Sequence, residues 1–169
     1  MDKVSYCLSG EDISKFFNGK VKIVIYSEIN NYDTIDQLLH PYDRVVILFE
    51  RKKGVGHWCS LHRNKKGEIY FFDPYGIKPP NQLKYSTGMN RYLNQRRNTL
   101  LDLFEDHLIK YNDVPLQKWK GNINTCGRFV IARLSCPELN SYEFADLIKS
   151  QTNDPDKFIT KITNKFLIN

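Results

Sequence analysis

The sequence predicts an α+β fold with a mixed central sheet flanked by helices, and three observations lead there. The β-rich runs lie mostly in the first half of the chain and the helical patterns in the second, without the regular strand–helix alternation of a parallel α/β sheet. Two strand runs are joined by Asn64-Lys65-Lys66-Gly67, turn residues ending in glycine, which marks an antiparallel hairpin. One later segment, Cys126 to Leu134, turns abruptly apolar on nearly every side, as a helix buried in a core does.

The elements follow in order. Residues 10–17 read as a short helix with Ile13, Phe16 and Phe17 on one side, stopped by Asn18-Gly19. VKIVIY at 21–26 is a strand, and 34–39 a short helix ended by Pro41. RVVILFE at 44–50 is short enough for a buried strand. The hairpin strands are 56–63 and 68–73; the prolines of PYGIKPP then exclude a central strand. Leu100, Phe104, Leu108 and Tyr111 fall on one helical face within 88–111. Residues 112–125 are polar and irregular, and Pro137 closes the apolar helix. Helices at 141–150 and 155–167 complete the chain, the last with Asp154 as N-cap and Pro155 in its first position.

The 169 residues, 41% hydrophobic and 26% charged, suit one globular domain over 1–169, with a core at 44–135 and a helical extension at 137–169. No stretch approaches the ~18 apolar residues of a membrane span, and MDKVSYCLSGEDISKFF lacks the pattern of a signal peptide. An intracellular or particle-associated location is therefore expected, without secretion or membrane contact. Twenty-five Lys and Arg against 19 Asp and Glu give +6, a surplus that permits polyanion contact and equally describes a solvated exterior. Cys7, Cys59, Cys126 and Cys136 are too few and too scattered for a disulfide scaffold, so free thiols are expected.

Of these thiols, Cys126 stands out. Asn124-Thr125 can cap the following helix, placing the sulfur in its first turn, where unpaired N–H groups and the positive dipole end favour thiolate. Gly127 lets backbone or substrate approach. A base and its orienting acid complete a thiol nucleophile. A three-residue hairpin loop points His57 and Asp73 to the same sheet face, direct opposition putting their Cβ atoms about 4.5–5.5 Å apart and a two-residue slip still leaving a diagonal, whereas a two- or four-residue loop turns Asp73 to the opposite face. Cys59 is the rival thiol, but parallel side chains at i and i+2 stand about 7 Å apart, so it reads as packing. His57, Cys59 and His62 lack a fourth ligand and a common face, so no metal is expected. His40, His62 and His107 read as incidental, at a loop, a strand edge and a helix surface.

Gly56-His57-Trp58, then Phe72-Asp73-Pro74-Tyr75-Gly76, then Thr125-Cys126-Gly127-Arg128-Phe129, taken in that order, resemble the adenovirus endopeptidase (adenain) and the ubiquitin-like-protein-specific proteases. These form one clan of papain-like cysteine peptidases with permuted topology, and the resemblance covers residues 44–135. It implies a papain-like cysteine protease fold with a Cys126 nucleophile, a His57 base and an Asp73 orienting acid. It also implies an oxyanion-hole glutamine before the cysteine. Gln117 is the candidate, although at nine residues it lies farther upstream than the family's six or seven; Asn122 and Asn124 are alternatives. Trp58 reads either as core or as a wall of the substrate channel, and Gly127 as a substrate-contact position. Trp119 is a possible second wall or a packing residue.

The function so implied is cysteine endopeptidase activity on viral capsid or scaffold precursors at glycine-containing sites during virion maturation. No cofactor is required, activation by DNA or a peptide is possible, and a monomer is expected. Two other classes stand beside it: a ubiquitin-like-modifier deconjugating protease or acyltransferase of the same fold, and a basic nucleic-acid-binding virion protein with an inactive protease fold.

Overall fold

The computed structural model describes residues 3–167 and is α+β. Five strands form one sheet in sequential order: β1 (Lys22–Ile25), β2 (Arg44–Lys52), β3 (Val55–Arg63), β4 (Ile69–Phe72) and β5 (Ile109–Tyr111). The outer pairs β1–β2 and β4–β5 are parallel; β2–β3 and β3–β4 are antiparallel. Side-chain alternation along β2 divides the core between two faces. Val46 and Leu48, with Trp58 and Phe72, pack under α1 (Gly10–Phe16), α4 (Cys126–Ser135), α5 (Ser141–Gln151) and α6 (Pro155–Leu167). Val45, Ile47 and Phe49, with Leu61 and Phe71, face α2 (Ile35–Leu39) and α3 (Thr99–Phe104).

Capping starts several helices where expected from sequence or one residue away. Ser9 and Asp12 form a reciprocal capping box on α1, Asn140 and Glu143 another on α5. Asp154 accepts from the Lys157 N–H at the head of α6. The buried helix α4 differs from a wholly apolar one in carrying two fully buried arginines. Arg133 donates to the Cys136 and Leu139 carbonyls, and Arg128 to Thr163 and Asn164, so neither guanidinium is left without acceptors.

Three elements differ from the sequence reading. The first strand stops at Ile25, and Tyr26–Asn31 wind into a 3-10 helix. The helix expected to run through Leu108 and Tyr111 ends at Phe104. Asp106 takes a φ of 66°, after which the backbone joins the sheet edge as β5, leaving Leu108 81% exposed. His62 is not at a strand edge: it is buried, stacks on Tyr70, and its Nε2 meets the Pro137 carbonyl at 3.0 Å.

Candidate active site

The site lies where the sheet ladder stops. β3 pairs with β4 only over Ser60–Arg63, which leaves its first half open on that side. Into that gap comes the first residue of α4, and the Trp58 backbone N–H donates to Cys126 Sγ at 3.5 Å. The observed pairing of Ser60 with Phe72, continued one step, sets Asp73 level with Cys59 rather than His57. The parity is the expected one, so both side chains share a face and meet on the diagonal. His57 Nε2 stands 2.7 Å from Asp73 Oδ1.

The imidazole thereby gives one nitrogen to the carboxylate, and it lines the same cleft as Cys126, near enough for ring and thiol to shift each other's ionisation. Burial pushes the Cys126 thiol up, but His57 through hydrogen bond and charge, with the Trp58 and Gly127 N–H groups, more than reverses this and leaves it below its ordinary value. Burial works against charge on His57 as well, yet the Asp73 carboxylate, hydrogen-bonded and fully buried, raises its pKa well above that of a free histidine. Both shifts favour a thiolate–imidazolium pair.

Asp73 is fixed on every side. Its Oδ1 also accepts from the Tyr75 N–H (2.7 Å), and Oδ2 accepts from Gln82 Nε2 (2.9 Å). Its backbone exchanges two hydrogen bonds with the Asn112 side chain, at 2.9 and 2.6 Å. The Tyr75 ring lies flat on the imidazole, centroids 4.5 Å apart at 16°. Gly56 precedes His57 because nothing larger fits: a Cβ there would lie 1.9 Å from the Phe49 carbonyl oxygen, beside the β2–β3 bulge.

The Pro74-Tyr75-Gly76 turn brings in the amide side of the site. Gly76 takes a φ of 73° and nestles against residues 113–115, and the Pro74 carbonyl accepts from both Leu116 and Gln117 N–H groups. This sets Gln117 in the same cleft of about 280 Å³ as His57, Asp73 and Cys126. Gln117 is buried, its Nε2 3.3 Å from the Ile123 carbonyl and its Oε1 without a partner among the described residues. Asn124 also lines the cleft, but its side chain donates to the Ser5 carbonyl at 2.9 Å; Asn122 is exposed in another groove. Asn124 and Thr125 thus do not cap α4 with their side chains: the Thr125 hydroxyl is taken by Asp156.

Trp58 and Gly127 lie behind the sulfur, outside the residues lining the cleft. The indole is buried with its Nε1 donating to the Leu8 carbonyl, and a Cβ on Gly127 would come within 3.2 Å of both Leu8 and Trp58. The exposed rim is aromatic instead. Trp119, 57% exposed, leans on Tyr75 and Tyr85 at centroid distances of 4.2 and 4.4 Å.

Cys59 approaches the histidine more closely than its strand position suggests. Its sulfur, a His57 ring nitrogen and an Asp73 oxygen lie within 4.8 Å of one another. Full burial holds that thiol far above its ordinary pKa, in contrast to Cys126. His62, on the opposite face, does not join this group. Gln82, Asn112 and the stacking role of Tyr75 escaped sequence reasoning. Gln82 and Asn112 are amides in irregular segments, with no periodicity or motif to mark them.

No family model matches the chain. Among solved structures it is similar to an ASFV protease, at 16% identity and TM-score 0.47, over 92% of this chain and 67% of that one. It is also similar to the central domain of an uncharacterized Legionella pneumophila protein (15%, TM-score 0.43, 96% and 99% covered) and to the SUMO protease Ulp1 (16%, TM-score 0.41, 95% and 79% covered). No helix among the described residues is long and apolar enough to cross a membrane. Protein V9 of the Sputnik virophage, itself uncharacterized, is 37% identical over 163 residues, covering 92% of this chain and 93% of its own length. The chain belongs to the family of that virophage protein.

Proposed function

We propose that this protein is a cysteine endopeptidase acting through Cys126, His57 and Asp73. The observation that carries the reading is the meeting, in one cleft, of a helix-tip thiol with an imidazole that stands 2.7 Å from a buried carboxylate. In this mechanism the Cys126 sulfur bonds to a peptide carbonyl carbon. His57 delivers its proton to the leaving amine as the C–N bond breaks, and water then cleaves the thioester with His57 as base. Gln117 Nε2 turns from the Ile123 carbonyl to the oxyanion, joined by the Cys126 N–H. Asp73 keeps the imidazolium oriented without taking its proton.

The substrates under this proposal are virion precursor proteins cleaved at glycine-containing sites, in the manner of adenain. The virophage relative supports a viral setting. A cleft of about 280 Å³ bordered by Trp119 and Tyr85 suits small residues at the scissile bond. DNA contact belongs to the same proposal, with the +6 charge as its support; activity indifferent to added DNA at low salt removes it.

The test is alkylation by iodoacetamide across pH for the wild type, Cys126→Ala and His57→Ala, with the modified residue located by mass spectrometry. Rapid labelling of Cys126 below neutral pH, lost in both variants, is expected. Labelling confined to the other cysteines overturns the assignment. Incubation with virion precursors and with a folded modifier conjugate then separates a maturation protease from a deconjugating one.

A further inference from the structure

We infer that Asp156 is a positioning residue for catalysis, tying the oxyanion-side loop to the nucleophile from the C-terminal helix; the inference rests on the peptidase reading above. Asp156 sits in the first turn of α6, far from Cys126 in sequence, and is 1% exposed. Its two oxygens are divided between two segments. Oδ1 accepts from the Thr125 hydroxyl at 2.6 Å, and Oδ2 accepts from the Lys118 backbone N–H at 3.1 Å. Thr125 immediately precedes the nucleophile and Lys118 immediately follows Gln117. One carboxylate therefore spans the two ends of the 118–125 loop, whose geometry sets the distance between the amide donor and the sulfur.

The arrangement is built for this link rather than for packing alone. A buried carboxylate is costly unless its oxygens are satisfied, and here the satisfying donors are the two loop ends. Its negative charge also lies at a helix N-terminus, where the dipole stabilises it. Lys118 Nζ also approaches Asp154 at 3.7 Å, so the same helix end holds the loop a second time. Thr125, fully buried, gives its hydroxyl to this carboxylate instead of capping α4.

The experiment compares two reactions of the same sulfur. Iodoacetamide alkylation needs a thiolate but builds no oxyanion; acylation by p-nitrophenyl acetate needs both. Asp156→Ala is expected to slow acylation about 10- to 100-fold, the scale of a misplaced oxyanion donor, while alkylation of Cys126 stays within about threefold. Asp156→Asn, which can still accept from Lys118 N–H and donate to a turned Thr125 hydroxyl, is expected to recover most of the loss. If Asp156→Ala does not fold, Thr125→Val and Asp156→Asn carry the comparison, with a selective acylation defect expected in Thr125→Val. An unchanged ratio of the two rates, or an equal fall in both, overturns the positioning role. A wild type whose Cys126 resists iodoacetamide overturns the peptidase reading instead.

Discussion

Asp73→Asn removes one charge from the site and almost nothing of its shape. The charge lost stands 2.7 Å from His57 Nε2. Coulomb attraction at an effective dielectric of about 20 gives roughly 6 kcal/mol at that distance, whereas hydrogen bonds to charged groups contribute about 1.5–3 kcal/mol net. The smaller figure governs, because the asparagine oxygen still accepts from the Tyr75 N–H and the ring N–H. A loss of about 2 kcal/mol corresponds to roughly 1.5 pKa units. The sign follows from linkage: a less stable imidazolium releases its proton at lower pH. The His57 ring titration, followed by NMR in the wild type and in Asp73→Asn, should show its midpoint moved down by about 1.5 units. Superimposable profiles for the two proteins would refute the proposed role of the carboxylate.

Gln117→Ala is expected to cost about 100-fold or more in kcat on a cleaved peptide, with Asn122→Ala nearly silent, since Asn122 lies in a different groove. Gly56→Ala drives a methyl group against the Phe49 carbonyl; the strands must part beside His57, and a loss of about 3 kcal/mol or more is expected in denaturant unfolding. His62 supplies a pH test independent of catalysis. Burial, with Arg133 nearby, pulls its pKa from 6.5 to about 4, so the folded chain keeps it neutral while the unfolded chain takes up a proton. Stability present above about pH 6.5 should fall as pH drops toward 4, by on the order of 3 kcal/mol from this residue. Urea midpoints for His62→Gln should slope less over that interval, and an identical slope would exclude His62 as the cause.

Strand and helix periodicity and capping residues made four of the five strands and five of the six α-helices among the described residues readable in advance, and parity put His57 and Asp73 on one face once the loop length was odd. What local sequence does not encode is where a ladder stops or what a loop packs against. Leu108 and Tyr111 kept helical spacing, yet β4 offered an unpaired edge, and hydrogen bonding to it won over helix continuation. Thr125 looked like a cap until a carboxylate some thirty residues later competed for its hydroxyl. Trp119 lies in a polar segment where nothing in the spacing showed that Tyr75 and Tyr85 would gather around it.

The paired hydrogen bonds between Asp73 and Asn112 clasp the two ends of a long excursion, residues 74–111. The excursion contributes Tyr75, Gln82 and Tyr85 before it leaves the cleft, and it returns to the sheet through β5. Between Gly88 and Asn98 it touches none of the reacting groups. Gln95 nonetheless pins that interval to the Glu50 backbone through two buried hydrogen bonds, so relatives should gain or lose residues only at its exposed turns, around Tyr92 and Arg97, while the clasp keeps the acid seated whatever length of chain hangs there.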